Sequence, residues 1–358
     1  MKLRLLSLLV CPSCGGAFEP ISFDDPVHPE EIREGLLRCR GGCVYPIVET
    51  IPRIVDDAFA LFPDFARHHA EPLARAGVHA STRMTRVRQD PIRRTRESFG
   101  YQWTRFSEMV IDFRENFLHY IHPLDAAFFP GKLGIDIGCG FGRHIYHGAT
   151  FGAEMVGVDL SRAIDVTRRN TQHIPNIHLV QANVYQLPFR PGSFDFAYSI
   201  GVLHHLPDPE AGFQQLATLT KSGGTVFIWV YSKTRRLTNA ILEGVRRLTT
   251  RLPREAQVLL TYLCALFDWG VFIAPYNAAL RLPGLGSLVR RIAPARVKVY
   301  SAYPFQVVCA DWFDRLAAPI RHYYDARDLE GWLNRAQLER TRVSPTGLYG
   351  WRAYGERP

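Results

Sequence analysis

The stretch LGIDIGCGFGRH, residues 133–144, joins a short apolar strand to glycines at positions 138, 140 and 142. Leu133, Ile135 and Ile137 alternate along one face. The three residues without side chains let the backbone turn sharply and approach a ligand closely, just before a helix begins. Loops of this kind hold nucleotide cofactors. They predict a second strand ending in an acid about 20 residues on, placed to bind ribose hydroxyls. Asp159, which closes the apolar run MVGVDL (155–160), meets that requirement. The cofactor-binding candidates from these two strands are Asp136, Gly138, Gly140, Gly142, Asp159 and Leu160.

Two further segments separate a nicotinamide ligand from S-adenosylmethionine. VQANVYQLPF (180–189) resembles the third-strand motif of class I methyltransferases, where an acid or amide contacts the adenine amino group. Here that residue is Asn183, followed by Val184. Asn departs from the usual Asp, yet its carbonyl oxygen accepts the same hydrogen bond. FDFAYSIGVLHHLPDPEAGFQQLATLTKSGGTVFIWVY (194–231) resembles the fourth strand, the next helix and the fifth strand of the ubiquinone-biosynthesis-like branch of that superfamily. Ser199 joins the cofactor candidates from this segment. The resemblance covers residues 131–231. It implies an α/β, Rossmann-like, seven-stranded fold and S-adenosylmethionine as cofactor.

Four of the seven cysteines form two short pairs, Cys11 and Cys14 in VCPSCGG and Cys39 and Cys43 in LLRCRGGCVYPI. Four thiolates around a tetrahedral zinc need two such pairs brought together by a hairpin, and the adjacent glycines permit the turns. With all four positions filled by protein, the metal has a structural role. Residues 3–56 resemble the small zinc-ribbon subunit that activates RNA and protein methyltransferases, here fused in cis.

The chain divides into a zinc-ribbon-like domain (1–57), a linker and helical extension (58–130), a cofactor-binding core (131–231), a helical insertion or cap (232–300) and a C-terminal part (301–358). The linker holds the Arg-rich run RMTRVRQDPIRRTRE (83–97). After it, ESFGYQWTRF (97–106) carries Tyr101, Trp103 and Phe106, aromatics that either close the cofactor pocket or pack a core. In the insertion, ILEGVRRLTTRL shows helical spacing, and VLLTYLCALFDWGVFIA (258–274) is nearly continuous apolar sequence broken by Asp268. That run is shorter than the roughly 20 residues a membrane span needs, so a packed cap, a dimer contact or membrane-surface association is expected. In the tail, Asp325 is placed to cap a helix containing Leu329 and Trp332, and the last strands to form an antiparallel edge hairpin. Asp311, His322, Tyr323 and Tyr324 resemble residues near the acceptor pocket in the branch.

Apolar content of 47% suits a packed enzyme, and the formal charge of +9 favours acidic partners, although the basic residues read as scattered. The opening MKLRLLSLLVC has too short an apolar run and no small-residue cleavage site for a secretory signal, which predicts a cytoplasmic location. Methyl transfer from a sulfonium requires alignment, exclusion of water and an unprotonated nucleophile. His204 or His205, at the end of the fourth strand, is the expected base, with His204 favoured. The acceptor is read as a small, apolar or amphipathic molecule. The competing readings are a ribosomal or transfer RNA methyltransferase, which the ribbon and charge would suit, and a non-catalytic scaffold that keeps the cofactor fold. Homo-oligomers stay open.

Overall fold

Apolar runs that alternate with helices make the central strands parallel and cover them on both faces. The computed structural model describes residues 1–24, 30–81, 90–347 and 349–358; positions 83–89 of the Arg-rich linker run lie outside them. Four strands come from the N-terminal region, β1 (Phe18–Ser22), β2 (Gly35–Cys39), β3 (Val44–Val48) and β4 (Ile51–Ile54). The core contributes β5 (Leu133–Ile137), β6 (Glu154–Asp159), β7 (Ile177–Ala182), β8 (Phe194–Ile200) and β9 (Thr220–Tyr231), and the tail β10 (Glu339–Thr346) and β11 (Gly350–Glu356).

Among the described residues these build one sheet in the order β1-β2-β3-β4-β7-β6-β5-β8-β9-β11-β10. From β7 to β9 all pairings are parallel, and β11 and β10 close the edge as an antiparallel hairpin. The seven strands from β7 to β10 match the expected doubly wound, Rossmann-like arrangement. The strand order reverses beside β5 and β8, and the crevice at their C-terminal ends is where such sheets take ligands. Every residue of β5 and β7 is buried. Asp325 caps the helix Ala326–Arg335 in a reciprocal box with Asp328.

The ribbon does not stand apart. β4 pairs in parallel with β7, Arg53 opposite Gln181 and Ile54 opposite Ala182, so the ribbon continues the sheet and covers an edge that would otherwise present unpaired backbone. Arg53 is 1% exposed at this seam. Its guanidinium donates to Asp165 at 2.5 Å, Val48 O at 3.1 Å and Gln181 Oε1 at 3.2 Å, and it lies 4.4 Å from the Phe62 ring.

Residues 236–300 are helical as expected. The nearly continuous apolar segment is longer than the sequence suggested: helix Arg254–Asp268 runs through a π-turn (Trp269–Ile273) into Ala274–Leu280, 27 residues long and apolar enough in length and composition to cross a bilayer. It packs beside the helix Phe305–Ala317.

Asp165 is partly exposed and keeps Arg162 at 2.7 Å, so deleting Arg53 costs the charged hydrogen bonds that Arg53 makes inside the seam. Arg53→Ala should therefore lower stability by about 1.5–3 kcal/mol, measured as a fall in the urea midpoint. A change within 1 kcal/mol of zero, at the level of an exposed pair, would mean that the seam does not hold ribbon and core together.

Candidate functional site

The crevice at the C-terminal ends of β5, β6 and β8 is a cavity with about 1000 Å³ of empty space, counting its open mouth. Its floor is the glycine loop. Gly138 has φ +82° and a Cβ there would lie 2.4 Å from Val202 Cγ2, so only glycine fits between strand and opposing loop. Gly140 lines the cavity below Trp103, whereas Gly142 (φ +97°) precedes helix Arg143–Thr150 and faces Thr167 and Thr171.

Asp159 lines the same cavity. One oxygen accepts from Gly140 N–H at 3.0 Å and the other from Ser161 N–H at 2.8 Å and Ser161 Oγ at 2.7 Å. A carboxylate has about four acceptor positions, so one direction is open to a hydroxyl. Burial raises the Asp159 carboxyl, opposed by these donors. Leu160, Asn183 and Val184 complete this side. Leu160 O accepts from Gln181 Nε2 at 3.0 Å, which ties the cavity wall back to Arg53. The Asn183 oxygen already accepts from Tyr185 N–H at 3.1 Å, and its second lone pair and amide protons remain for a ligand.

Besides Gly142, two sequence candidates lie off the wall. Ser199 is fully buried and donates to Ile137 O at 2.8 Å, holding β8 to β5. Asp136 is 1% exposed beneath the loop, and burial pushes its carboxyl up to about 8 against the opposing pull of the neighbouring Tyr198 hydroxyl. His144, which the sequence reading passed over because it reads as the first turn of a helix, does line the cavity and has an unpartnered Nε2. An unfilled buried polar atom beside a glycine cradle, with a carboxylate at the second strand end, fits the charged amino-acid end and the ribose of S-adenosylmethionine.

The opposite wall is one face of helix Pro91–Arg105, where Ile92, Thr95, Arg96, Phe99 and Trp103 recur at helical spacing. Trp103 stacks on Phe141 at 4.8 Å, whereas Tyr101 and Phe106 turn away onto Phe313. Arg96 holds this helix to the ribbon side through a two-pronged bond to Asp57 at 2.8 and 2.7 Å. A second cavity shares Trp103, Phe141 and Arg143 with the first and runs to Tyr262, Phe305 and Asp311.

The two histidines take opposite places from the expected ones. His204 is fully buried, stacks 3.9 Å from the Tyr231 ring and does not line the cavity, because the short 3₁₀ turn Leu203–His205 points it back at β9. His205 lines the cavity. Its Nδ1 lies 2.8 Å from Ile320 O and its Nε2 3.4 Å from Asp314 Oδ1. Burial pulls this imidazole down to about 4, against the opposing pull of Asp314. Asp314 also accepts from the Tyr231 hydroxyl at 2.7 Å and pairs with Arg321. Burial alone would raise the Asp314 carboxyl, but Arg321 and His205 hold it below the usual carboxylate range. Asp314 and Arg321 carry no motif that sequence reading could have used. Of the tail residues compared with the acceptor pocket, Asp311 reaches the second cavity, while His322 bonds Leu206 O and Tyr323 bonds Glu243.

In the N-terminal region, the sulfurs of Cys11, Cys14, Cys39 and Cys43 all lie within 4.8 Å of one another. A Cβ at Gly41 would come 2.9 Å from Cys14 Sγ, so glycine there is what lets the two turns close. A tetrahedron of sulfurs around a metal at about 2.3 Å fits this donor set.

Residues 135–228 match the family model described as a methyltransferase domain. A magnesium protoporphyrin IX methyltransferase from Synechocystis PCC 6803 with bound SAH is 17% identical, with a TM-score of 0.42 and coverage of 74% of this chain and 98% of that one. The ubiquinone biosynthesis O-methyltransferase of Albidiferax ferrireducens is 31% identical over 38% of this chain and 58% of its own length. That of Ralstonia nicotianae is 32% identical over 45% of this chain and 68% of its own length. The chain thus spans about three-fifths to two-thirds of these relatives, and with the methyltransferase domain over residues 135–228 it belongs to the class I S-adenosylmethionine-dependent methyltransferase family.

Proposed function

We propose that this chain methylates the oxygen of a small, apolar or amphipathic acceptor, with His205 as the base and the four-cysteine cluster holding a structural zinc. The observation that carries the reading is His205 on the cavity wall, with Asp314 Oδ1 3.4 Å from its Nε2 and Ile320 O 2.8 Å from its Nδ1. The O-methyltransferase names of its relatives support an oxygen acceptor.

S-adenosylmethionine, when bound, supplies an electrophilic methyl group. Asp159 and the amides of the glycine loop would hold its ribose and Asn183 its adenine, with Asp136 and His144 near its amino-acid end. The wall of Ile92, Phe99 and Trp103 excludes water, which keeps the nucleophile from being solvated as the bond forms. An acceptor hydroxyl gives its proton to His205 Nε2 while Nδ1–H donates to Ile320 O. The resulting imidazolium is stabilised by the Asp314 carboxylate, itself kept ionised by Arg321. Positioned general-base catalysis of this kind contributes about 10²–10⁴-fold.

His205→Gln should lower kcat by about 10²–10⁴-fold and leave the cofactor Kd within about threefold; unchanged turnover would remove the base assignment. The pH profile follows from the lowered imidazole. His205 is neutral down to about 4, so the acid limb of kcat/KM should lie well below the ordinary histidine range. Asp314→Asn removes a group that raises this imidazole and should move the limb lower still. A limb near 6.5, the unperturbed value, would count against the assignment.

Asp159→Ala deletes hydrogen bonds to a charged group, worth roughly 1.5–3 kcal/mol, and should weaken S-adenosylmethionine binding by about 10–100-fold in calorimetry. Undiminished affinity would sink the ribose role. For the ribbon, purified protein should carry one zinc per chain by atomic emission. Cys39→Ser should lose that zinc together with a large part of its melting temperature, as structural zinc binding contributes folding energy directly. Metal-free protein melting like the wild type would refute it.

A further inference from the structure

Sixteen of the seventeen large apolar side chains that stand exposed among the described residues lie between Leu237 and Val299. Their placement inverts the usual amphipathic helix. In Arg254–Asp268 the buried residues are Gln257, Thr261, Ala265 and Asp268, while Leu259, Leu263 and Leu266 are 54–62% exposed. Polar bonds hold the helix this way round. Gln257 Nε2 donates to Thr249 O at 3.0 Å, Asp268 pairs with Arg296, and Trp312 Nε1 donates to Asp268 at 3.0 Å. The neighbouring helices repeat the pattern, with Leu237, Ile241 and Leu248 outward on Arg236–Thr249 and Leu285, Leu288 and Ile292 outward on Leu285–Ile292. Monomeric proteins rarely expose a contiguous apolar patch beyond a few hundred Å², and larger ones mark interaction sites.

Charge shares the same region. Residues 235–300 hold eleven Lys and Arg against three Asp and Glu, or +8 of the chain's +9, so the positive excess falls here because acids are few, while basic residues occur along the whole chain. Two of the three acids are engaged inside the cap, Glu243 by Arg246 and Asp268 by Arg296. We propose that this helical cap docks on an anionic lipid bilayer, lying in its interfacial layer with the leucine and phenylalanine side chains inserted and the arginines on the headgroups. A bilayer of that kind offers an apolar interior and negative charge together. A second copy of this face would bring two strongly positive surfaces together, and a nucleic acid would leave the apolar tips in water. The 27-residue helix has the length to cross a membrane, but its buried polar face is packed on the catalytic domain, which sets it along the surface.

The test is co-sedimentation of the full chain with vesicles of phosphatidylcholine alone and of phosphatidylcholine mixed with phosphatidylglycerol, at low and high salt. Expected is at least about tenfold tighter partitioning to the anionic vesicles, weakened by salt. Leu263→Glu with Phe267→Glu, both exposed and outside the cofactor cavity, should reduce partitioning about tenfold, the cost of placing charge on the inserted face. The circular dichroism spectrum and calorimetric affinity for S-adenosylmethionine should stay unchanged. Absence of partitioning, equal partitioning to neutral vesicles, or a lipid-independent dimer by light scattering that the double variant dissociates would each overturn the proposal. Because binding to vesicles needs no methyl transfer, its outcome is read separately from the catalytic assignment.

Discussion

A guanidinium buried where the ribbon meets the catalytic sheet sets the terms for the rest of this chain. Arg53 cannot be desolvated alone, and its donors reach Asp165, Val48 and Gln181 only when β4 lies in register on β7. Gln181 in turn holds Leu160 O, next to the acid that closes β6, and Asp165 stands in the helix that follows it. Ribbon and cofactor wall are therefore joined by one polar chain through the seam. Arg96 and Asp57 make a second tie, from the ribbon side to the aromatic helix that closes the cavity. The N-terminal four-cysteine region is thus tied to the cofactor crevice through packing, with Cys11 and Cys39 in the same buried cluster as Val184 of the cavity wall.

Inside the crevice, polar groups divide into satisfied and unsatisfied sets. Asp159 is held by three donors and the Asn183 oxygen by one, which orients them before any ligand arrives. His144 Nε2, on the cavity wall, has no partner despite burial. Such groups are costly unless something binds them, and preorganised ones lose little entropy when it does. On the side proposed for the acceptor, His205, Asp314 and Arg321 form a series in which the Asp314 carboxylate lies 3.4 Å from His205 Nε2 and is paired with Arg321.

Local patterns made much of the fold legible. The glycine loop, Asp159 and the apolar runs of β5 to β9 announce themselves because strand period and turn chemistry are properties of neighbouring residues. The same holds for Asp325 as a cap, the edge hairpin and the paired cysteines. His204 and His205 show where this stops. They are adjacent, and only the rotation of a three-residue 3₁₀ turn decides which one faces the cavity and which packs under Tyr231. Ser199 and Gly142 likewise belong to the right segments but face the wrong way.

Identity of the elements, their order and the chemistry of the nucleotide loop follow from the residue pattern alone, since each rests on contacts a few positions apart. Three features arise only when distant segments meet: the ribbon strand on β7, Asp314 behind His205 across more than a hundred residues, and the outward turn of the cap's apolar face. The last is the most instructive, because periodicity reveals that a helix has two faces but not which one the protein will cover. Here the buried hydrogen bonds that Gln257 donates to Thr249 O and Asp268 accepts from Trp312 outweigh the usual preference, since those groups would lose water without them, and the leucines are left on the outside.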